Sequence, residues 1–200
     1  MKKSVIISLI VASVMLVLFA GATWFYFWGT SFSGDLIHKA DKIPKPVKSL
    51  PNLETEPQGW PWWLGPENND HAAITGMNKN WSDGLDKIWE VGYLCKGPKS
   101  MVWSCPVIQG NRLVVPGRDE THDYMFCLHP QTGELLWYDK YELDSKKNYG
   151  QGQRATPTID GESVYTYSRS GYVRSYALYD GALNWEYKIS QAGVEPPEWG

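Results

Sequence analysis

The phrase Glu134-Leu135-Leu136-Trp137-Tyr138 has two counterparts, Lys87-Ile88-Trp89-Glu90-Val91 before it and Ala182-Leu183-Asn184-Trp185-Glu186 after it, so Trp89, Trp137 and Trp185 recur every 48 residues. Each sets a tryptophan among alternating or branched apolar residues, the pattern of a short half-buried strand. A second pair of phrases repeats as well. Cys105-Pro106-Val107-Ile108-Gln109-Gly110-Asn111-Arg112-Leu113-Val114 aligns with Thr156-Pro157-Thr158-Ile159-Asp160-Gly161-Glu162-Ser163-Val164-Tyr165 at an offset of 51. Self-similarity at such a period marks a stacked-repeat architecture.

Outward from the tryptophans, turn signals divide each repeat into short runs. Gln109-Gly110-Asn111 and Pro130-Gln131-Thr132-Gly133 punctuate the first repeat; Asp160-Gly161, Ser170-Gly171 and Asp180-Gly181 punctuate the second. Such pairs supply the positive φ that tight hairpins need. In the second repeat the strands are predicted at about 154–159, 163–168, 172–178 and 182–189. Four antiparallel strands in 48 residues describe a propeller blade. The expected fold class is all-β: a partial β-propeller of about two four-stranded blades with flanking strands, behind an N-terminal transmembrane helix. Trp89, Trp137 and Trp185, with the turn glycines Gly133 and Gly181, are the candidate docking residues of the repeat. One such ring buries roughly 150–250 Å² in the seam between neighbouring blades.

Composition agrees with this class. Eleven tryptophans and 12 tyrosines suit pleated, half-buried surfaces, while 19 glycines and 13 prolines interrupt the chain too often for long helices. A formal net charge of −3 without a basic block leaves no electrostatic footprint for a polyanion, so nucleic acid is not an expected partner. Cys95, Cys105 and Cys127 are an odd number without the paired short spacing of a zinc site. They read as buried thiols, with a Cys95–Cys105 bridge as the alternative in an exported domain.

At the N-terminus, Val5 to Trp28 is almost wholly apolar, and no charge follows Lys2 and Lys3 until Asp35. At about 1.5 Å per residue this stretch reaches roughly 36 Å, enough for a hydrocarbon core of about 30 Å. Ala20-Gly21-Ala22 offers the competing reading of a cleaved signal peptide. The cluster Trp24-Phe25-Tyr26-Phe27-Trp28 favours a retained anchor seated at a membrane interface. Residues 1–34 are therefore read as a signal anchor that contacts the membrane through residues 5–28, with the amino end cytoplasmic and the remainder on the periplasmic or extracytoplasmic side. Residues 35–59, with Pro44, Pro46, Pro51 and Pro57, read as an extended spacer, and residues 60–200 as the repeat region.

The repeat region resembles the pyrroloquinoline-quinone-like propeller family, whose branches include BamB-type assembly factors and quinoprotein alcohol dehydrogenases. The resemblance is carried by Cys127-Leu128-His129-Pro130-Gln131-Thr132-Gly133-Glu134-Leu135-Leu136-Trp137, which is similar to that family's tryptophan-docking signature. Ala177-Leu178-Tyr179-Asp180-Gly181-Ala182-Leu183-Asn184-Trp185 reads as a copy with a turn two residues shorter. Trp60-Pro61-Trp62-Trp63-Leu64-Gly65-Pro66 is similar to the phrase that precedes the first blade in exported members, and Arg154-Ala155-Thr156-Pro157-Thr158 to their blade-opening strand. Closed propellers have at least about four blades, so two repeats and a preceding strand lead to the expectation of a front portion of a longer propeller.

The enzymatic branch, as the resemblance implies, binds pyrroloquinoline quinone with calcium and commonly has a disulfide between neighbouring cysteines. No neighbouring cysteine pair occurs here, and no motif carrying calcium ligands or a catalytic aspartate is visible. No catalytic, cofactor-binding or metal-ligating residue is therefore assigned, and no cofactor is expected. Asp119-Glu120-Thr121-His122-Asp123 reads as a solvated loop before it reads as a cation site. Gly150-Gln151-Gly152-Gln153-Arg154 precedes a strand where a phosphate site would need a helix, and reads as an inter-blade connection. His38, His71 and His129 are isolated, and Asn80-Trp81-Ser82 matches a glycosylation triplet too short to carry weight. The expected function is a membrane-anchored, non-catalytic repeat module that binds a protein partner outside the cytoplasm. The alternative is a fragment of a quinone-dependent dehydrogenase, with quinone and calcium as its cofactors.

Overall fold

Runs of β-branched and aromatic residues closed by glycine turns pair with their sequence neighbours, and this local rule builds the fold as two consecutive meanders. The computed structural model describes residues 42–52, 59–72, 76, 79–82, 84–97, 100–142 and 152–196. All of these lie in one unit, Ala40–Gly200. A separate unit, Met1–Lys39, lies wholly outside the described residues, and the predicted membrane segment 5–28 falls within it. Among the described residues no helix is long and apolar enough to cross a membrane.

The first sheet has the order β1-β2-β3-β4-β5, with β1 Gly59–Trp60, β2 Val107–Gln109, β3 Arg112–Arg118, β4 His122–Leu128 and β5 Leu135–Glu142. The second has the order β6-β7-β8-β9, with β6 Thr158–Asp160, β7 Ser163–Tyr167, β8 Tyr172–Ala177 and β9 Leu183–Lys188. Every ladder is antiparallel. The described fold is all-β, with one short 3-10 turn at Ile189–Ala192.

The ladders make the repeat exact in its second half. Cys127 pairs with Trp137 and Leu128 with Leu135, with a bulge between; Ser175 pairs with Trp185 and Tyr176 with Leu183, with the same bulge. Both turns close alike, the Gly133 amide donating to the His129 carbonyl at 2.8 Å and the Gly181 amide to the Ala177 carbonyl at 2.9 Å. The second turn is therefore not two residues shorter than the first. The length change sits one hairpin earlier: the cross-strand partners Val114 and Cys127 are 13 residues apart, their counterparts Tyr165 and Ser175 only 10. This is why the early offset is 51 and the late one 48.

Two predicted strands are corrected. The opening strand of the second repeat starts at Thr158 and not near 154. Pro157 has no amide proton for a ladder, and its upstream neighbours bond to the previous repeat instead. The Gln153 carbonyl accepts from the Trp103 amide at 2.9 Å, and the Thr156 hydroxyl from the Cys105 amide at 3.1 Å. Residues 87–91 form no strand, since no strand runs beside them among the described residues; only Cys95 bridges, in parallel sense, to Arg118.

The first sheet is covered on both faces. One face, with Val107, Val114, Met125, Cys127, Leu136 and Trp137, packs against Ile159, Val164 and Tyr176 of the second sheet and against Leu178 just after β8. On the other face Tyr124, Phe126, Leu128 and Leu135 are covered by Trp89, Val91, Tyr93, Leu94 and Ile43. Part of the predicted spacer also lies on this core: Val47 and Leu50 pack against the seam, and the Val47 amide donates to the Leu135 carbonyl at 3.0 Å. The three thiols are unbridged, and only Cys127 is buried; Cys105 is exposed and Cys95 intermediate.

Candidate functional site

Trp89 and Trp137 occupy equivalent seats. Each indole N–H donates to a backbone carbonyl 41 residues downstream, Trp89 to Pro130 at 2.8 Å and Trp137 to Leu178 at 3.0 Å. Each ring lies on the turn glycine 44 residues downstream. A Cβ built on Gly133 would come within 2.7 Å of the Trp89 ring, and one on Gly181 within 2.5 Å of the Trp137 ring. Both glycines hold φ above +70°, a region that side chains other than glycine rarely adopt. Close approach and backbone conformation thus require glycine independently at both turns.

Trp185 holds the same ladder position but no such seat. It is 46% exposed where Trp137 is 4%, and its contact is a tilted approach to Tyr165 at 6.2 Å on its own sheet. Leu183 and Tyr187 on the same strand are also exposed. Of the five docking residues taken from the sequence, Trp89 meets Gly133 and Trp137 meets Gly181, while Trp185 stands outside any seam among the described residues.

The seam between the sheets has a polar half that the sequence did not announce. Tyr176 donates to Asp139 at 3.0 Å across it, and the Arg174 guanidinium lies 3.6 Å from the Tyr141 ring centroid while its Nε donates to Glu186 at 2.6 Å. Gln153 donates from Nε2 to the Tyr141 hydroxyl. Asp123 is fully buried and accepts from Arg118 at 3.3 Å. Burial pushes its carboxyl up to about 6, against the pull of the Arg118 and Arg174 charges. Burial likewise raises the Tyr141 and Tyr176 hydroxyls and the Cys127 thiol. Asp123 opens β4 and Arg174 stands within β8, and the partner of each lies on another strand.

The acidic stretch at 119–123 is a hairpin turn. Burial raises the Asp119 carboxyl, yet hydrogen bonds outweigh it and hold the group well below the usual carboxylate range: Tyr124 donates to one oxygen, and the Thr121 amide and hydroxyl and the His122 amide to the other. Asp123 turns inward. Among the described residues no group of three His, Cys, Asp or Glu side chains could hold a metal ion. His71 is exposed, His129 closes the β4–β5 turn, and His38 lies outside the described residues.

The oxygens of Asp119 are taken by local donors, Asp123 is held by Arg118 in the interior, and no two of the three thiols are neighbours in sequence. A five-stranded and a four-stranded antiparallel sheet in tandem, joined by a tryptophan seated on a glycine turn, are consistent with part of a β-propeller.

No protein-family model matches the chain, and no curated protein matches it. Two solved structures are similar over part of its length. The crystal structure of BamB from Moraxella catarrhalis aligns with 40% of this chain and 21% of its own length, at 25% identity and a TM-score of 0.30. A europium-containing methanol dehydrogenase aligns with 68% of this chain and 24% of its own length, at 18% identity and a TM-score of 0.44. The aligned part thus spans about a quarter or less of either structure.

Proposed function

We propose that this chain is a membrane-anchored, non-catalytic propeller-repeat module that binds a protein partner outside the cytoplasm and works without quinone or calcium. The observation that carries this reading is the exposed outer face of β9, with Trp185 46% and Tyr187 41% exposed while the carboxylates of the hairpin and the seam are engaged by neighbouring donors. An apolar aromatic surface beside a polar rim is the anatomy of an interaction site. The apolar segment 5–28 supports attachment to the membrane, and Lys2 and Lys3 support a cytoplasmic amino end.

A photo-crosslinking residue at Tyr187 of the full chain, expressed in its native membrane, is expected to give a discrete protein adduct, with none from Lys140 as control. Alkaline extraction is expected to leave the chain in the membrane, with the repeat region open to protease from the extracytoplasmic side only. Alcohol-dependent dye reduction by the full chain on addition of quinone and calcium overturns the non-catalytic reading in favour of a dehydrogenase fragment.

A further inference from the structure

We infer that Asp123 and Gln153 form a proton-operated clasp at the junction of the two sheets: with a proton on Asp123, its Oδ2 donates to Gln153 Oε1 and ties the inter-sheet connection to β4. Both oxygens are buried, and neither has a hydrogen-bond partner among the described residues. Asp123 is 0% exposed and Gln153 1%, so water does not reach either side chain from the surface. As a carboxylate and an amide carbonyl, the two oxygens are both acceptors and cannot bond each other. One proton taken up from solvent by Asp123 turns Oδ2 into a donor and leaves the amide oxygen as its acceptor.

Tyr141 brings the pair together. Asp123 stands directly opposite Tyr141 in the β4–β5 ladder, and cross-strand partners share a face of the sheet. Its carboxylate is the strongest charge acting on the Tyr141 hydroxyl. Gln153 reaches the same hydroxyl from the connection between β5 and β6, donating to it from Nε2. With Nε2 spent on the phenol, Oε1 is left to find another donor. Burial holds the Asp123 carboxyl near 6, so the clasp closes as pH falls through that value and opens as pH rises.

The other groups that face Asp123 do not change charge in this range. Arg118 on β3 and Arg174 on β8 face it as guanidinium cations. Asp119 in the hairpin is held as a carboxylate by its donors, while burial keeps the Tyr141 hydroxyl and the Cys95 thiol protonated. His122, the preceding residue, shares a hydrogen bond with Thr121 and provides the control.

What the clasp fastens is the connection itself. The Gln153 carbonyl accepts from the Trp103 amide at 2.9 Å, and Gly152 runs so close to Met101 that an added Cβ would lie 1.7 Å from the Met101 carbonyl. The Trp103 amide therefore reports whether the connection is held.

Hydrogen exchange of the Trp103 amide in the full chain in detergent, corrected for the intrinsic effect of pH, is expected to slow roughly three- to tenfold from about pH 7.5 to about pH 5. Gln153→Met keeps the bulk and removes the acceptor, and the amide is expected to exchange fast at both pH values. Asp123→Asn offers a permanent donor in place of the protonated carboxyl, and the amide is expected to stay slow at both. His122→Gln is expected to retain the step. A step that survives Gln153→Met overturns the inference, because the proton then acts on overall stability and not through the amide. A step that vanishes in His122→Gln overturns it too, by assigning the proton to the imidazole. Exchange that slows as pH rises also overturns it, since the amide is then turned over, with Nε2 donating to an ionised Asp123.

Discussion

Asp123 is where a single residue sets a measurable property of the fold. Its carboxyl is buried beside Arg118 and within the field of Arg174, and titrates near 6, above the roughly 3.9 of an unfolded aspartate. The folded state therefore holds the proton more tightly than the unfolded one. Stability from this group is full below about pH 4, falls as pH rises to about 6 and is flat beyond, a change of order 3 kcal/mol. Asp119 acts in the opposite sense, because its depressed carboxyl contributes stability that is lost only as pH falls below the ordinary carboxylate range. Urea unfolding of Asp123→Asn between pH 4 and 7 is expected to lose the decline across pH 4 to 6; a slope equal to that of the parent assigns it to another group.

At the scale of elements, the segment 42–52 behaves as a strap across the repeats and is fastened by Arg112. This side chain is fully buried, donating to the Pro51 carbonyl at 2.9 Å and to Asn111 Oδ1 at 2.6 Å, and it reaches the Tyr179 carbonyl of the second sheet at 3.5 Å. Arg112→Met keeps much of the apolar stem and removes the donors. It is expected to cost roughly 1.5–3 kcal/mol and to speed tryptic cleavage after Lys48, which is exposed on the strap. The strap was hidden in the sequence because prolines among charges read as spacer. What fixes it is a guanidinium 61 residues from Pro51, a distance over which no local pattern carries information. The strands of the second repeat were legible, because alternation and Gly-bounded turns are local. The exception at 154–157 reflects bonds to the previous repeat, again a non-local cause.

For the whole molecule, stacked repeats draw stability from each unit and from the seam between neighbours. Trp137 and Ile159 belong to the same buried cluster across that seam, whereas Phe126 lies in the cluster on the opposite face of the first sheet. A double-mutant cycle of Trp137→Ala with Ile159→Ala is expected to give a coupling of about 0.5–3 kcal/mol, and Phe126→Ala with Ile159→Ala to add within about 0.5 kcal/mol. Equal couplings in the two cycles would mean that the sheets share one continuous core and not a seam between separable units.

The sequence by itself determined the all-β class, the 48-residue period, the turn glycines and the ladder positions of Trp137 and Trp185, because side-chain alternation and positive φ act within a few residues. Only the tertiary structure decided which indoles are seated, that the seam is half polar, and that residues 42–52 lie on the core. Those outcomes depend on groups about 40 to 60 residues apart meeting in space. A tryptophan codon is the same whether its ring finds a glycine turn or faces solvent.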